Sequence, residues 1–174
     1  DSLKTINGYT FWECGKLEEI NIPQSVSAIG EAAFHGCKSL TSFEIPNGVM
    51  TISKDAFKYC TNLISVIIPA SVRKIESGAF SNCIKLTDIK IPSHVMEIGN
   101  NAFAHCESMI AIKIPKSVKE IESETFRGCT SLANIEIPWG IKKIGHAAFC
   151  NCKSLTSIEI PEGLIEIGSD AFRG

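Results

Sequence analysis

Residues 40–60 read LTSFEIPNGVMTISKDAFKYC, and this pattern decides the fold because it returns every 23 residues along the chain. The step is carried by Pro23, Pro46, Pro69, Pro92, Pro115, Pro138 and Pro161. A cysteine ladder from Cys14 to Cys152 keeps it, as does a phenylalanine ladder from Phe11 to Phe172. A fixed period in the twenties marks a stacked solenoid, in which each unit buries its apolar face only against its neighbours. About seven and a half copies occupy residues 1–174 as one array. Neither end shows the atypical polar capping unit that closes such arrays, so the chain is expected to be part of a longer protein.

Within the unit, Phe43 and Ile45 alternate with Ser42 and Glu44, the signature of a short strand with one buried face. Pro46 ends it, since proline has no N–H for a ladder bond. Val49 and Ile52 follow and fit a second extended piece or a tight turn. Ala56, Phe57, Cys60 and Leu63 then fall at i, i+1, i+4 and i+7, the stripe of a short helix or 3-10 turn. The alanine column, with Thr10 and Thr125 as exceptions, must stay small so that coils can approach.

The net charge of −2 and pI near 6.1 leave no basic footprint for nucleic acid. No apolar run is long enough for a membrane-inserting helix. The eight cysteines do not read as a disulfide framework, because like positions on stacked coils project in parallel rather than converge. They read as small buried hydrophobes. Cys150 lies off the ladder in a column that looks exposed, and is expected to be an accessible free thiol. His35, His94, His105 and His146 are scattered and no C-x-x-C pair exists, so neither metal nor cofactor is expected. No nucleophile–base–orienter set and no Gly-rich phosphate loop is present, which points away from an enzyme.

The pattern L-x-x-I-x-I-P-x-x-V-x-x-I-G-x-x-A-F-x-x-C resembles the leucine-rich repeats of BspA-like proteins and related repeats of spirochaetes and protozoa. That resemblance implies an α/β leucine-rich-repeat solenoid: a right-handed arc with a parallel concave β-sheet, and short helices or 3-10 turns on the convex side. It also implies a bacterial or parasite surface protein, extracellular or cell-surface in location, that contacts a host protein or another cell. A glycan is the second class of partner, and a spacer holding other domains apart is the alternative function. No family-wide catalytic residues exist to carry over.

Function is therefore sought where the period is broken. Seven strands at about 4.8 Å spacing would make a concave sheet roughly 30 Å wide. Its two outward columns run from Glu19 to Ser157 and from Asn21 to Glu159, and neither obeys the repeat. The candidate partner-binding residues are Glu44, Ile67, Asp88, Lys90, Lys113, Glu136 and Trp139. Lys90 and Lys113 are expected as lateral neighbours, with Asp88 and Glu136 offsetting them in a dipolar face. Ile67 would join Ile64 and Ile110 in a small apolar patch. Trp139 follows Pro138 in a loop column that is otherwise mostly polar, a placement suited to an anchor.

Overall fold

The computed structural model describes residues 2–174, apart from the side chain of Asp88. Among the described residues, thirteen short strands are arranged in two series. The front series is β3 (Ser42–Glu44), β5 (Ser65–Ile67), β7 (Asp88–Ile89), β9 (Ala111–Lys113) and β11 (Asn134–Glu136). The second series is β1 (Thr5–Ile6), β2 (Ala28–Ile29), β4 (Thr51–Ile52), β6 (Lys74–Ile75), β8 (Glu97–Ile98), β10 (Glu120–Ile121), β12 (Lys143–Ile144) and β13 (Glu166–Ile167). All pairings are parallel with one repeat of offset, as in Ser42 opposite Ser65 and Thr51 opposite Lys74. This is the β-solenoid that the period predicts, and the Val49–Ile52 segment resolves to an extended piece.

Two expectations are corrected here. The front sheet has five strands rather than seven, because residues 20–22 and 157–159 form none, and it is not continuous. Hydrogen-bonded pairing stops between β7 and β9, and in the second series between β2 and β4 and also, at the same coil step as in the front sheet, between β8 and β10. At that step the alanine column passes from Ala102 to the larger Thr125.

The second correction concerns the convex side, where the described residues contain no helix. The cause is backbone conformation. On the convex side each ladder phenylalanine is flanked by two residues with positive φ, one two positions before and one two after: Ala32 (51°) and Gly36 (72°) around Phe34, Asp55 (53°) and Tyr59 (60°) around Phe57. A helix needs an unbroken run of negative φ and N–H bonds to the residue four back. Here alternate N–H groups leave the coil instead. Phe34 N donates to Ala56 O at 2.9 Å and Gly36 N to Lys58 O at 2.8 Å, while Cys37 N closes a turn onto Phe34 O at 3.2 Å. The result is a ladder of turns bonded from coil to coil. It persists where the sheets part, through Phe103 N to Thr125 O at 2.9 Å and His105 N to Arg127 O at 2.7 Å.

The apolar stripe nevertheless marks the buried positions. Ala56, Phe57, Cys60 and Leu63 are all buried, because a chain of tight turns folds the same positions inward. The phenylalanines from Phe34 to Phe149 stack face to face, with centroids 5.4 Å apart for Phe34–Phe57 and 5.7 Å for Phe103–Phe126. All eight cysteines are free. From Cys37 on, each ladder thiol is buried and donates to the phenylalanine carbonyl of the coil before, as Cys83 Sγ does to Phe57 O at 3.1 Å. Burial raises these thiols, Cys37 to about 11 and Cys152 to about 12.

Cys150 corrects a further expectation: it is buried, not accessible. Its column is Trp12, His35, Lys58, Ser81, Ala104, Arg127 and Cys150. Coils on either side cover the position, so short residues there are enclosed. Only long side chains escape, as Lys58 and Arg127 do to reach Asp55 and Glu124 three residues before. Trp12, at the first coil, stacks on His35 with centroids 3.8 Å apart. Burial lowers the His35 pKa, against the opposing pull of Glu13.

Candidate binding groove

The front sheet carries a groove of about 1030 Å³, spanning the coils from Ile89 to Glu159. Its position follows from the strand period: Ile112 and its column mates turn inward, so Ala111 and Lys113 face out. Ala111 is small and opens the floor beside Asn134, its partner across β9–β11.

Lys113 sits opposite Glu136 in the same register and pairs with it, Nζ to Oε2, at 3.0 Å. Both side chains are largely exposed, at 74% and 64%, so the pair adds at most about 1 kcal/mol to stability. It fixes the orientation of two charges rather than the fold. Lys90 and Lys116 line the groove on one side of the pair, Glu159 on the other. The lining is thus cationic toward its N-terminal coils and acidic toward its C-terminal coils.

Three predicted residues meet in this groove: Lys90, Lys113 and Glu136. Lys90 and Lys113 are not paired across strands, since β7 ends at Ile89 and Lys113 has Glu136 as its sheet partner. The Asp88 side chain lies outside the described residues. Glu44 and Ile67 are exposed and face each other across β3–β5, on coils before the groove. Ile64 and Ile110 are also exposed, at 46% and 58%, which settles which way that column faces. Trp139 is 85% exposed on the turn after Pro138 and does not line the groove. Lys116, Ser157 and Glu159 also line the groove, and sequence reasoning does not select them as site residues. The signal was present for Ser157 and Glu159, which occupy the outward columns, but their coil forms no strand and nothing marked it as part of the site.

Among the described residues no cluster of three or more His, Cys, Asp or Glu side chains could hold a metal ion, and no helix is long and apolar enough to cross a membrane.

Comparison with known proteins agrees with this architecture. A family model described as BspA type leucine rich repeat region matches residues 4–130 and 50–174, in six copies. The chain is similar to the crystal structure of the leucine-rich repeat protein of T. pallidum, at 34% identity and a TM-score of 0.79, over 87% of this chain and 70% of that one. It is similar to a leucine-rich repeat protein from Bacteroides ovatus, at 30% identity and a TM-score of 0.76, over 95% of this chain and 49% of that one. A leucine rich cell surface protein from Faecalibacterium prausnitzii matches at 30% identity and a TM-score of 0.62, over 99% of this chain and 61% of that one. Among curated protein sequences none matches this chain.

Proposed function

The chain belongs to the BspA-type leucine-rich repeat family, and from that premise we propose that it is a non-enzymatic cell-surface adhesion module that binds a host protein through the front-sheet groove. The fold is of a protein-interaction type, and one neighbour of 30% identity carries the words cell surface in its name. The observation that carries the reading is the groove itself. Stacking dictates the inward residues of the strands beneath it, Ile89, Ile112 and Ile114, yet leaves the outward lining to vary from coil to coil. A scaffold with no partner has no need of a charge-graded hollow of this size. Lys90 and Lys113 toward one end and Glu136 and Glu159 toward the other would align a partner of complementary charge.

The test is to block the groove without touching the core. Ala111→Trp fills the floor, and Lys113→Glu reverses the central charge. Both positions are exposed, so the fold should survive. Binding of the fluorescently labelled chain to epithelial cells and to immobilised extracellular-matrix proteins should fall at least tenfold for each variant. Unchanged binding would place the contact elsewhere. No binding by the wild-type chain to any of these surfaces would favour the spacer reading.

A further inference from the structure

The turns after the prolines line one edge of the solenoid. Four residues beyond each proline, one column reads Met50, Arg73, Met96, Lys119, Lys142, Ile165 from the second full coil to the last. Backbone bonds tie its members into two groups, Met50–Arg73–Met96 and Lys119–Lys142–Ile165: Arg73 N to Met50 O at 2.8 Å, Met96 N to Arg73 O at 2.8 Å, Lys142 N to Lys119 O at 2.8 Å and Ile165 N to Lys142 O at 2.9 Å. Such neighbours stand about 4.8 Å apart. The apolar members protrude, with Met50 61%, Met96 60% and Ile165 80% exposed. Trp139, 85% exposed, stands on the same turns, and Lys116 holds its position one coil earlier.

The cationic heads are also turned onto this edge. The Arg73 guanidinium donates to Ala70 O at 2.6 Å, Lys119 Nζ to Lys116 O at 3.3 Å and Lys142 Nζ to Gly163 O at 3.2 Å. None of Arg73, Lys116, Lys119 and Lys142 forms an ion pair among the described residues. In the second series, by contrast, both lysines are paired within their column, Lys74 with Glu97 and Lys143 with Glu166, each at 2.9 Å, and Glu120 is left without an ion pair among the described residues. Glu162 is the one carboxylate at these turn positions. In a chain of net charge −2, this edge is locally positive and studded with exposed apolar side chains that stacking does not require.

We propose that this turn edge seats on an anionic lipid surface, with Trp139, Met50, Met96 and Ile165 entering the headgroup layer and Arg73, Lys116, Lys119 and Lys142 contacting its negative charge. Tryptophan settles at membrane–water interfaces, and basic residues beside protruding apolar ones bind anionic bilayers. A folded protein or an acidic polysaccharide is the weaker fit. The apolar side chains here stand out from a row of tight turns instead of lining a hollow, and the groove that would suit a folded partner lies on the front sheet. Docking by the edge leaves that groove open.

The experiment is co-sedimentation of the whole chain with vesicles of equal parts phosphatidylcholine and phosphatidylglycerol, and with pure phosphatidylcholine. The anionic vesicles should retain the chain at low salt and release it at high salt, and the neutral ones should not retain it. Lys116→Glu/Lys119→Glu/Lys142→Glu should lower partitioning at least tenfold, since each basic residue near such a surface contributes appreciably. Trp139→Ala should lower it severalfold. In a Trp12→Phe background, Trp139 emission should shift to the blue on anionic vesicles. Circular dichroism checks folding, and Lys→Gln replacements serve where the glutamates disturb it. Absence of vesicle binding at low salt, or equal binding by the triple variant, overturns the proposal. So does salt-sensitive retention on heparin without vesicle binding, which would assign the edge to an acidic polysaccharide.

Discussion

Replacing Phe80 with alanine should be among the costliest single changes this protein can suffer. Phe80 is fully buried and stacks at 5.5 Å on Phe57 below it and at 5.5 Å on Phe103 above it. Truncating a buried phenylalanine costs about 3–5 kcal/mol through lost transfer energy and the cavity left behind. Each aromatic pair accounts for about 0.5–1.5 kcal/mol beyond its area, and two are lost, which places the total at the upper end, about 5 kcal/mol. Phe172 offers the internal control: it is 37% exposed and has a single stacking partner, Phe149, at 5.4 Å. Phe172→Ala should therefore cost about 1–2 kcal/mol, from partial burial and one pair. Urea unfolding followed by far-UV circular dichroism gives both values. A solenoid is stabilised by nearest-neighbour interfaces, so the central change should also broaden the transition by uncoupling the coils up to Phe57 from those beyond Phe80. A Phe80→Ala loss below about 1 kcal/mol, or one equal to that of Phe172→Ala, would refute the continuous aromatic column as the spine of the core.

Two further outcomes follow from the same coils. At pH 8 a thiol reagent should label Cys14 readily in the folded chain and all eight cysteines after denaturation; fast labelling of Cys150 would contradict its burial. Because burial raises the ladder thiols, the folded state keeps protons that the unfolded state releases. Their stabilising contribution is thus complete below the ordinary thiol value near 9.0 and is lost as pH rises toward about 11 for Cys37 and about 12 for Cys152. Cys106→Val should flatten the alkaline fall in stability by up to about 1.4 kcal/mol per pH unit, measured by urea titration at pH 8 to 10; an unchanged slope would refute the linkage. Gly128 has φ +72° and its added Cβ would meet the His105 ring at 2.5 Å. Gly128→Val should lower stability by about 2 kcal/mol or more, because a β-branched residue is strained there, and a thermal midpoint unchanged from wild type would count against the turn geometry.

The repeat was legible because stacking imposes it. Phe57, Cys60 and Ala56 recur wherever a coil must meet its neighbour closely, and their burial could be read without coordinates. Their backbone could not. The i, i+4 stripe fits a helix and a run of turns equally well, and Asp55 and Tyr59, the left-handed residues that decide between them, carry no sequence mark comparable to Gly36 or Gly128. Cys150 was misread for a related reason: lysine and arginine in its column suggested an exposed surface, whereas their long stems lead out from an enclosed position.

The candidate site divides in the same way. The period showed which columns stacking leaves free, and Lys90, Lys113 and Glu136 were selected from them. The register of β9 against β11 then set Lys113 beside Glu136, and the end of β7 at Ile89 kept Lys90 out of the sheet. By itself the sequence determined a 23-residue solenoid with a phenylalanine, cysteine and alanine core, since short-range periodicity and the need to bury one face suffice for that. Only the tertiary structure decided that the convex side is a ladder of turns, that both series of strands are interrupted between β7 and β10, that a groove lies over β9 and β11, and that Trp139 stands on the turn edge outside it. Those features depend on hydrogen bonds and contacts between residues one coil apart, whose geometry a one-dimensional pattern does not encode.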